Sequence, residues 1–239
     1  MIVINKKRIS IIVICLVLGI FVYSYEGTKI NLDQEMQETT ATPVSGKVIV
    51  LDAGHGVPDE GAQSSRGTTE AETNLKIALK VQNLLEQSGC TVILTRSDEN
   101  AIYDLDKNTL REKKISDIRN RVKIGNSSSA DIFVSIHLNK IPQQQYWGWQ
   151  CFYNSKNEKS INLAKKIQSN LNGAIQKENK RVAMKLDTVY IMKHVEIPIS
   201  IVECGFLSNP EEEQQLLNDE YQDKLAWGIF NGIIEYFNE

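Results

Sequence analysis

Three short apolar runs in this chain end in the same way. "KVIVLDAGHG" (Lys47–Gly56) passes from four aliphatic residues into an acid and then a histidine, His55, held between two glycines. "DIFVSIHLNK" delivers His137, and "IPISIVECGF" delivers Glu203 ahead of Gly205. Between such runs lie stretches of helical spacing. "EAETNLKIALKVQNLLEQSG" sets Leu75, Leu79, Leu84 and Leu85 along a helix that Gly89 stops. Residues 110–126, 160–175 and 211–237 are the other expected helices, with Ile115, Ile118, Val122 and Arg119 or Arg121 turned inward in the first of them. "TVILT", "GWQCFYN" and "VYIMK" are the other expected strands. Strands alternating with helices predict a single α/β domain with a mostly parallel twisted sheet flanked by helices. Ligands in such sheets bind beyond the carboxyl ends of the strands. That places His55, His137 and Glu203 where a site is built, with the glycines allowing a sharp turn and close approach of a ligand.

The amino-terminus follows other rules. Lys6, Lys7 and Arg8 precede the uncharged stretch Ile9–Tyr25. Its length sits at the lower limit for a membrane span, and its basic flank suits a secretory signal. No small-residue cleavage site follows, so residues 1–25 read as an uncleaved signal-anchor, with a cleaved signal peptide as the rival. The basic flank stays inside, which places the rest of the chain outside the cytoplasm. Residues 26–46 are polar, aperiodic and end in Thr, Pro, Ser and Gly, so they read as a linker to a domain over 47–239. A net charge of −3 gives no basic surface for nucleic acid. Cys90, Cys151 and Cys204 each sit in or beside an apolar run and read as buried free thiols, while Cys15 lies in the anchor.

Two histidines and a carboxylate form the ligand set of many catalytic zinc sites, with a fourth position left to water. A second carboxylate beside that water can move its proton. The chain offers two good acids for these tasks: one in "TTEAETN", and Glu203. Spacing alone leaves their roles open.

The order of motifs goes further. "DAGHGVPDEGA", "EAETNLKIALKV", "LTRSDEN", "RVKIGNSSSADIFVSIHLN" and "IPISIVECGFLSNPEE" together resemble the zinc-dependent N-acetylmuramoyl-L-alanine amidases over about Lys47 to Phe237. The resemblance implies zinc ligands at His55, Glu70 and His137, Glu70 being the acid four residues before Asn74, with Glu72 as its decoy. It implies a catalytic glutamate at Glu203. The implied reaction is hydrolysis of the amide between the lactyl group of N-acetylmuramic acid and L-alanine in peptidoglycan, with Zn2+ activating water and Glu203 as general acid/base. Two positions depart from the pattern: Val57 replaces a usual glycine, and Ala71 a frequent lysine. Neither removes a ligand.

A bare catalytic domain behind a short anchor resembles the germination-specific, spore-cortex type, which trims peptide before muramic-lactam is made. This implies an extracytoplasmic location, anchored or secreted, in the cortex or the space between spore membranes. An activating protein partner stays open. The rival readings are a zinc peptidase acting on stem peptides, and a catalytically dead, membrane-anchored cell-wall-binding protein. His194 matches no metal position and reads as structural or neutral. Arg96, Asp98 and Arg121 read as organisers of loops and helix packing. Asn139 suits the cleft wall or its support. Trp147 and Trp149 suit sugar stacking or, for at least one, core packing.

Overall fold

The computed structural model describes residues 17–26 and 42–238. Residues 1–16 of the expected anchor, with Cys15, and residues 27–41 of the expected linker lie outside the described residues. Residues 17–26 are helical with exposed side chains. Among the described residues no helix is long and apolar enough to cross a membrane. The compact unit begins at Thr42. There Val44 is buried and its carbonyl accepts from Cys90 Sγ, so residues 42–46 clasp the turn that follows the first helix of the unit.

Six strands and six helices make up that unit: β1 (Val48–Ala53), α1 (Glu70–Gln87), β2 (Thr91–Leu94), α2 (Leu110–Ser127), β3 (Ile132–Asn139), β4 (Gln150–Tyr153), α3 (Glu158–Ala174), β5 (Met184–Lys185), α4 (Tyr190–His194), β6 (Ile199–Phe206), α5 (Pro210–Leu216) and α6 (Asp219–Phe237). They form one sheet in the order β2-β1-β3-β6-β4-β5, parallel except where β4 runs against β6. The expected mostly parallel sheet is what forms. β1, β3 and β6 occupy its middle. Covered on both faces, they read as nearly continuous apolar runs.

Alternation along these strands divides the interior into two cores. Ile49, Leu51, Val134, Ile136, Val202 and Cys204 face α1, α3 and α6. Val50, Phe133, Ile199 and Ile201 face the smaller core under α2 and α4. Continuing the second face by two residues leads from Val50 to Asp52, from Phe133 to Ser135 and His137, and from Ile201 to Glu203. Toward the carboxyl edge the smaller core therefore changes from hydrocarbon to polar groups.

The helix ends show why they stop and start where they do. Thr109 and Glu112 form a reciprocal capping box at α2. Asn209, with Pro210 after it, opens α5 by accepting from Glu211 and Glu212 backbone N–H groups. Gly89 takes φ +86° just beyond α1, a conformation that favours glycine. Gly228 and Gly232 on α6 let that helix approach the backbone of α3: a Cβ on Gly228 would lie 2.9 Å from Leu171 Cα.

Three expectations need correction. "VYIMK" is not a strand: Val189 is extended, but Tyr190–His194 forms one helical turn that buries Ile191 and Met192 in the smaller core. A short apolar run satisfies burial in either geometry, so periodicity could not separate them. The buried stripe of α1 is Ile77, Ala78, Val81 and Leu85, and Leu79 is exposed. On α2, Ile115 is exposed while Arg121 is buried. The three described cysteines are free and buried, as expected.

Candidate metal centre and catalytic cleft

His55 leaves β1 at its carboxyl edge, His137 stands near the end of β3, and Glu70 is the first residue of α1. Their ligand atoms lie within 4.8 Å of one another. Glu70 Oε1 is 2.9 Å from His137 Nδ1 and 3.3 Å from His55 Nε2. The two rings meet edge to face, with centroids 5.1 Å apart. Leu138 N–H donates to Glu70 Oε1 and Ala62 N–H donates to Oε2, which fixes the carboxylate between the rings. Glu72, two residues on, is exposed and pairs with Lys76 at 2.7 Å.

Electrostatics follow from this packing. Burial alone would raise the Glu70 carboxyl, but its contacts with both imidazoles outweigh burial and hold it well below the usual carboxylate range. Burial likewise favours neutral His55, yet the Asp59 and Glu70 carboxylates lift the ring to about 9. Two ring nitrogens and a carboxylate oxygen converging on one point fit one small divalent cation.

Glu203 is in register with His137 across β3 and β6. Burial pushes its carboxyl up to about 7. Its Oε2 is buried and makes no hydrogen bond among the described residues, so one oxygen is free for something absent from the fold itself. His55, His137 and Glu203 line a cleft of about 300 Å³, with Ile118, Leu186 and Val189 as its apolar wall.

The glycines near these residues serve a purpose other than the one expected. The space that a side chain on Gly54 would take is filled by the His137 ring. At Gly61 a Cβ would lie 2.6 Å from Glu70 Oε2. Close approach here is by the protein's own ligand groups. The sharp turn falls on His55 itself, at φ 64°.

Arg121 secures that turn. Its guanidinium donates to His55 O at 2.6 Å and Ala53 O at 2.8 Å, and pairs with Asp52 and Asp117. Asp52 also accepts from Thr95 and Ser135 hydroxyls. Burial opposes ionisation of Asp52, but Arg121 and these donors bring its carboxyl down to about 2. Arg96, also buried, donates to Ala53 O, Gly54 O and Ala71 O, tying β1 to α1. Replacing Arg121 by Ala strands a buried carboxylate and should cost about 3–5 kcal/mol. Chemical denaturation measures this, and unchanged stability would remove Arg121 from the scaffold.

Asp52, Asp59 and Gln150 drew no role from sequence. Asp59 Oδ2 lies 3.5 Å from His55 Nδ1 and 2.9 Å from Lys114, an outer partner for the ring. Its signal was an acid four residues after the histidine. His194 is exposed, stacks on Tyr190 and is not among the residues that line the cleft. Trp149 is fully buried and donates to Asn172, whereas Trp147 is half-buried under Lys177. Asn139 pairs with Phe206 at the sheet edge. Val57 is exposed on its loop.

A parallel α/β sheet with two imidazoles and a carboxylate converging at its carboxyl edge, next to a buried unpartnered acid, defines the class of hydrolases that work with a bound cation. Residues 49–235 match the model of the N-acetylmuramoyl-L-alanine amidases. The chain belongs to this family of enzymes. It is 39% identical over 197 residues to the germination-specific N-acetylmuramoyl-L-alanine amidase of Bacillus subtilis (strain 168), covering 82% of each protein. Among solved structures it is similar to the CwlD amidase of Clostridioides difficile, solved in complex with the GerS lipoprotein. That match has 42% identity and a TM-score of 0.79, over 81% of this chain and 99% of the other. An N-acetylmuramoyl-L-alanine amidase from Clostridium difficile 630 matches at 30% identity and TM-score 0.71, over 82% and 98% of the two chains.

Proposed function

We propose that this chain hydrolyses the amide between the lactyl group of N-acetylmuramic acid and L-alanine in peptidoglycan, with Zn2+ held by His55, Glu70 and His137 and with Glu203 as general acid/base. The observation that carries the reading is the convergence of those three side chains beside a buried Glu203 oxygen with no partner. Two nitrogens and one carboxylate favour zinc over calcium or magnesium, which prefer all-oxygen shells. The bound ion supplies Lewis-acid polarisation of the amide carbonyl and a more acidic water.

The chain's own residues do the rest. Glu203 accepts a proton from the attacking water as the carbon–oxygen bond forms. It then gives that proton to the alanine nitrogen as the carbon–nitrogen bond breaks, which returns the carboxylate. Burial favours the protonated form of this carboxyl, which suits it to carry the proton from water to nitrogen. Asp59 and Arg121 hold the His55 ring and backbone, and the main-chain donors of Ala62 and Leu138 hold Glu70.

The germination-specific relative supports a role in the spore cortex, outside the cytoplasm. The lipoprotein complex of the C. difficile amidase supports a protein partner. Residues 1–25 act as anchor or signal in this reading and residues 26–41 as linker, and the catalytic domain takes in residues 42–46 ahead of the expected start at Lys47.

Digestion of purified peptidoglycan followed by mass analysis tests the activity. The expected products are peptide-free glycan and peptides with a free amino-terminal alanine. Peptides cut within the stem would identify a peptidase, and undigested material a binding protein.

A further inference from the structure

Arg181 stands in the segment between α3 and β5. Its Nε donates to Trp147 O at 3.2 Å, and one terminal nitrogen donates to Gln150 Oε1 at 3.1 Å. Its guanidinium carbon lies 4.7 Å from the Phe206 ring centroid and 5.9 Å from that of Tyr146. Neutral acceptors and aromatic faces therefore fix the group. Among the described residues no carboxylate lies within ion-pair distance of it, and its second terminal nitrogen makes no hydrogen bond. The acid at this end of β6, Glu212, is committed to the backbone N–H groups of Gly148 and Phe206. Arg181 and Lys177 act on that buried carboxyl at longer range and favour its charged form, while the open donor of the second terminal nitrogen suits an anion that arrives with a ligand.

Its location says which ligand. Gln150 lies directly opposite Glu203 in the antiparallel β4–β6 pair. Opposed residues of such a pair project from one face with Cβ atoms about 5 Å apart. Arg181 is thus anchored one side chain from the proposed acid/base, and it lines an open pocket of about 490 Å³ with Tyr146, Trp147, Asn179 and the Lys180–Glu178 pair, whose charges meet at 3.6 Å and offset each other. We propose that Arg181 receives a carboxylate of the substrate's peptide arm and so selects which peptides are cleaved. This rests on the amidase reading. The planar fork matches a carboxylate with two parallel hydrogen bonds, which a lysine cannot reproduce.

The test uses two muramoyl peptides that differ in one group: the residue after alanine carries a free carboxylate in one and a carboxamide in the other. The full-length protein should show a KM about tenfold to a hundredfold lower for the carboxylate peptide, the usual size of a hydrogen bond to a charged group. Arg181→Gln should raise KM for that peptide by the same factor, hold kcat, and leave the carboxamide peptide unchanged. Arg181→Lys should recover part of the preference, and it carries the same comparison if Arg181→Gln does not fold. Equal KM values in the unaltered protein, a preference that survives Arg181→Gln, or equal slowing of both peptides would overturn the assignment. Failure of the unaltered protein to cut either amide would instead refute the amidase reading, and this inference with it.

Discussion

Glu203→Gln is expected to give a folded protein that keeps its metal and cleaves the amide about 10²–10⁴-fold more slowly. The strand run Ile199–Val202 carries this residue into register with His137, so its position is set by the sheet. Glutamine preserves its size and hydrogen-bonding reach but accepts no proton at neutral pH. The metal should stay, because His55, Glu70 and His137 converge without Glu203. Metal content and amide cleavage are measured on the same sample. Loss of metal together with activity would recast Glu203 as a ligand, and near-normal cleavage would remove it from the chemistry.

Glu70→Ala has the second large expected effect. The carboxylate lies between both imidazoles and takes two backbone N–H groups, so its removal deletes a ligand and releases the loop at Ala62 and the strand end at Leu138. With three protein ligands there is none to spare, and metal affinity should fall by about a hundredfold or more. Glu72→Ala should change neither metal content nor activity, because Glu72 is exposed and bonded to Lys76. Elemental analysis of dialysed protein separates the two. Metal lost from Glu72→Ala and kept by Glu70→Ala would reverse their roles.

Much of this arrangement was legible in the residues themselves. Apolar runs that end in His55, His137 and Glu203 place all three at the carboxyl edge once the sheet is parallel, because strand direction decides where the polar end lies. The choice of Glu70 over Glu72 rests on resemblance, since helix geometry turns the two acids apart but only docking on the sheet decides which of them faces the histidines. The Arg121–Asp52 pair was not legible. Asp52 lies within an apolar strand and Arg121 within a charged helix, and only the packing of α2 on the sheet shows that each answers the other. "VYIMK" failed for a related reason: a five-residue apolar run is buried equally well as strand or helix, and the smaller core had room for the turn. The glycine before His55 reads as room for a ligand, but what fills the space at Gly54 is the His137 ring, a side chain distant in sequence.

The most direct test is a metal titration of chelated protein, with amide cleavage followed at each addition of Zn2+. The account predicts that activity is absent without metal and rises linearly to a plateau at one equivalent, and that neither His55→Ala, Glu70→Ala nor His137→Ala recovers over the same range. Full cleavage by the metal-free protein, or full recovery of the Glu70→Ala variant at one equivalent, would contradict it.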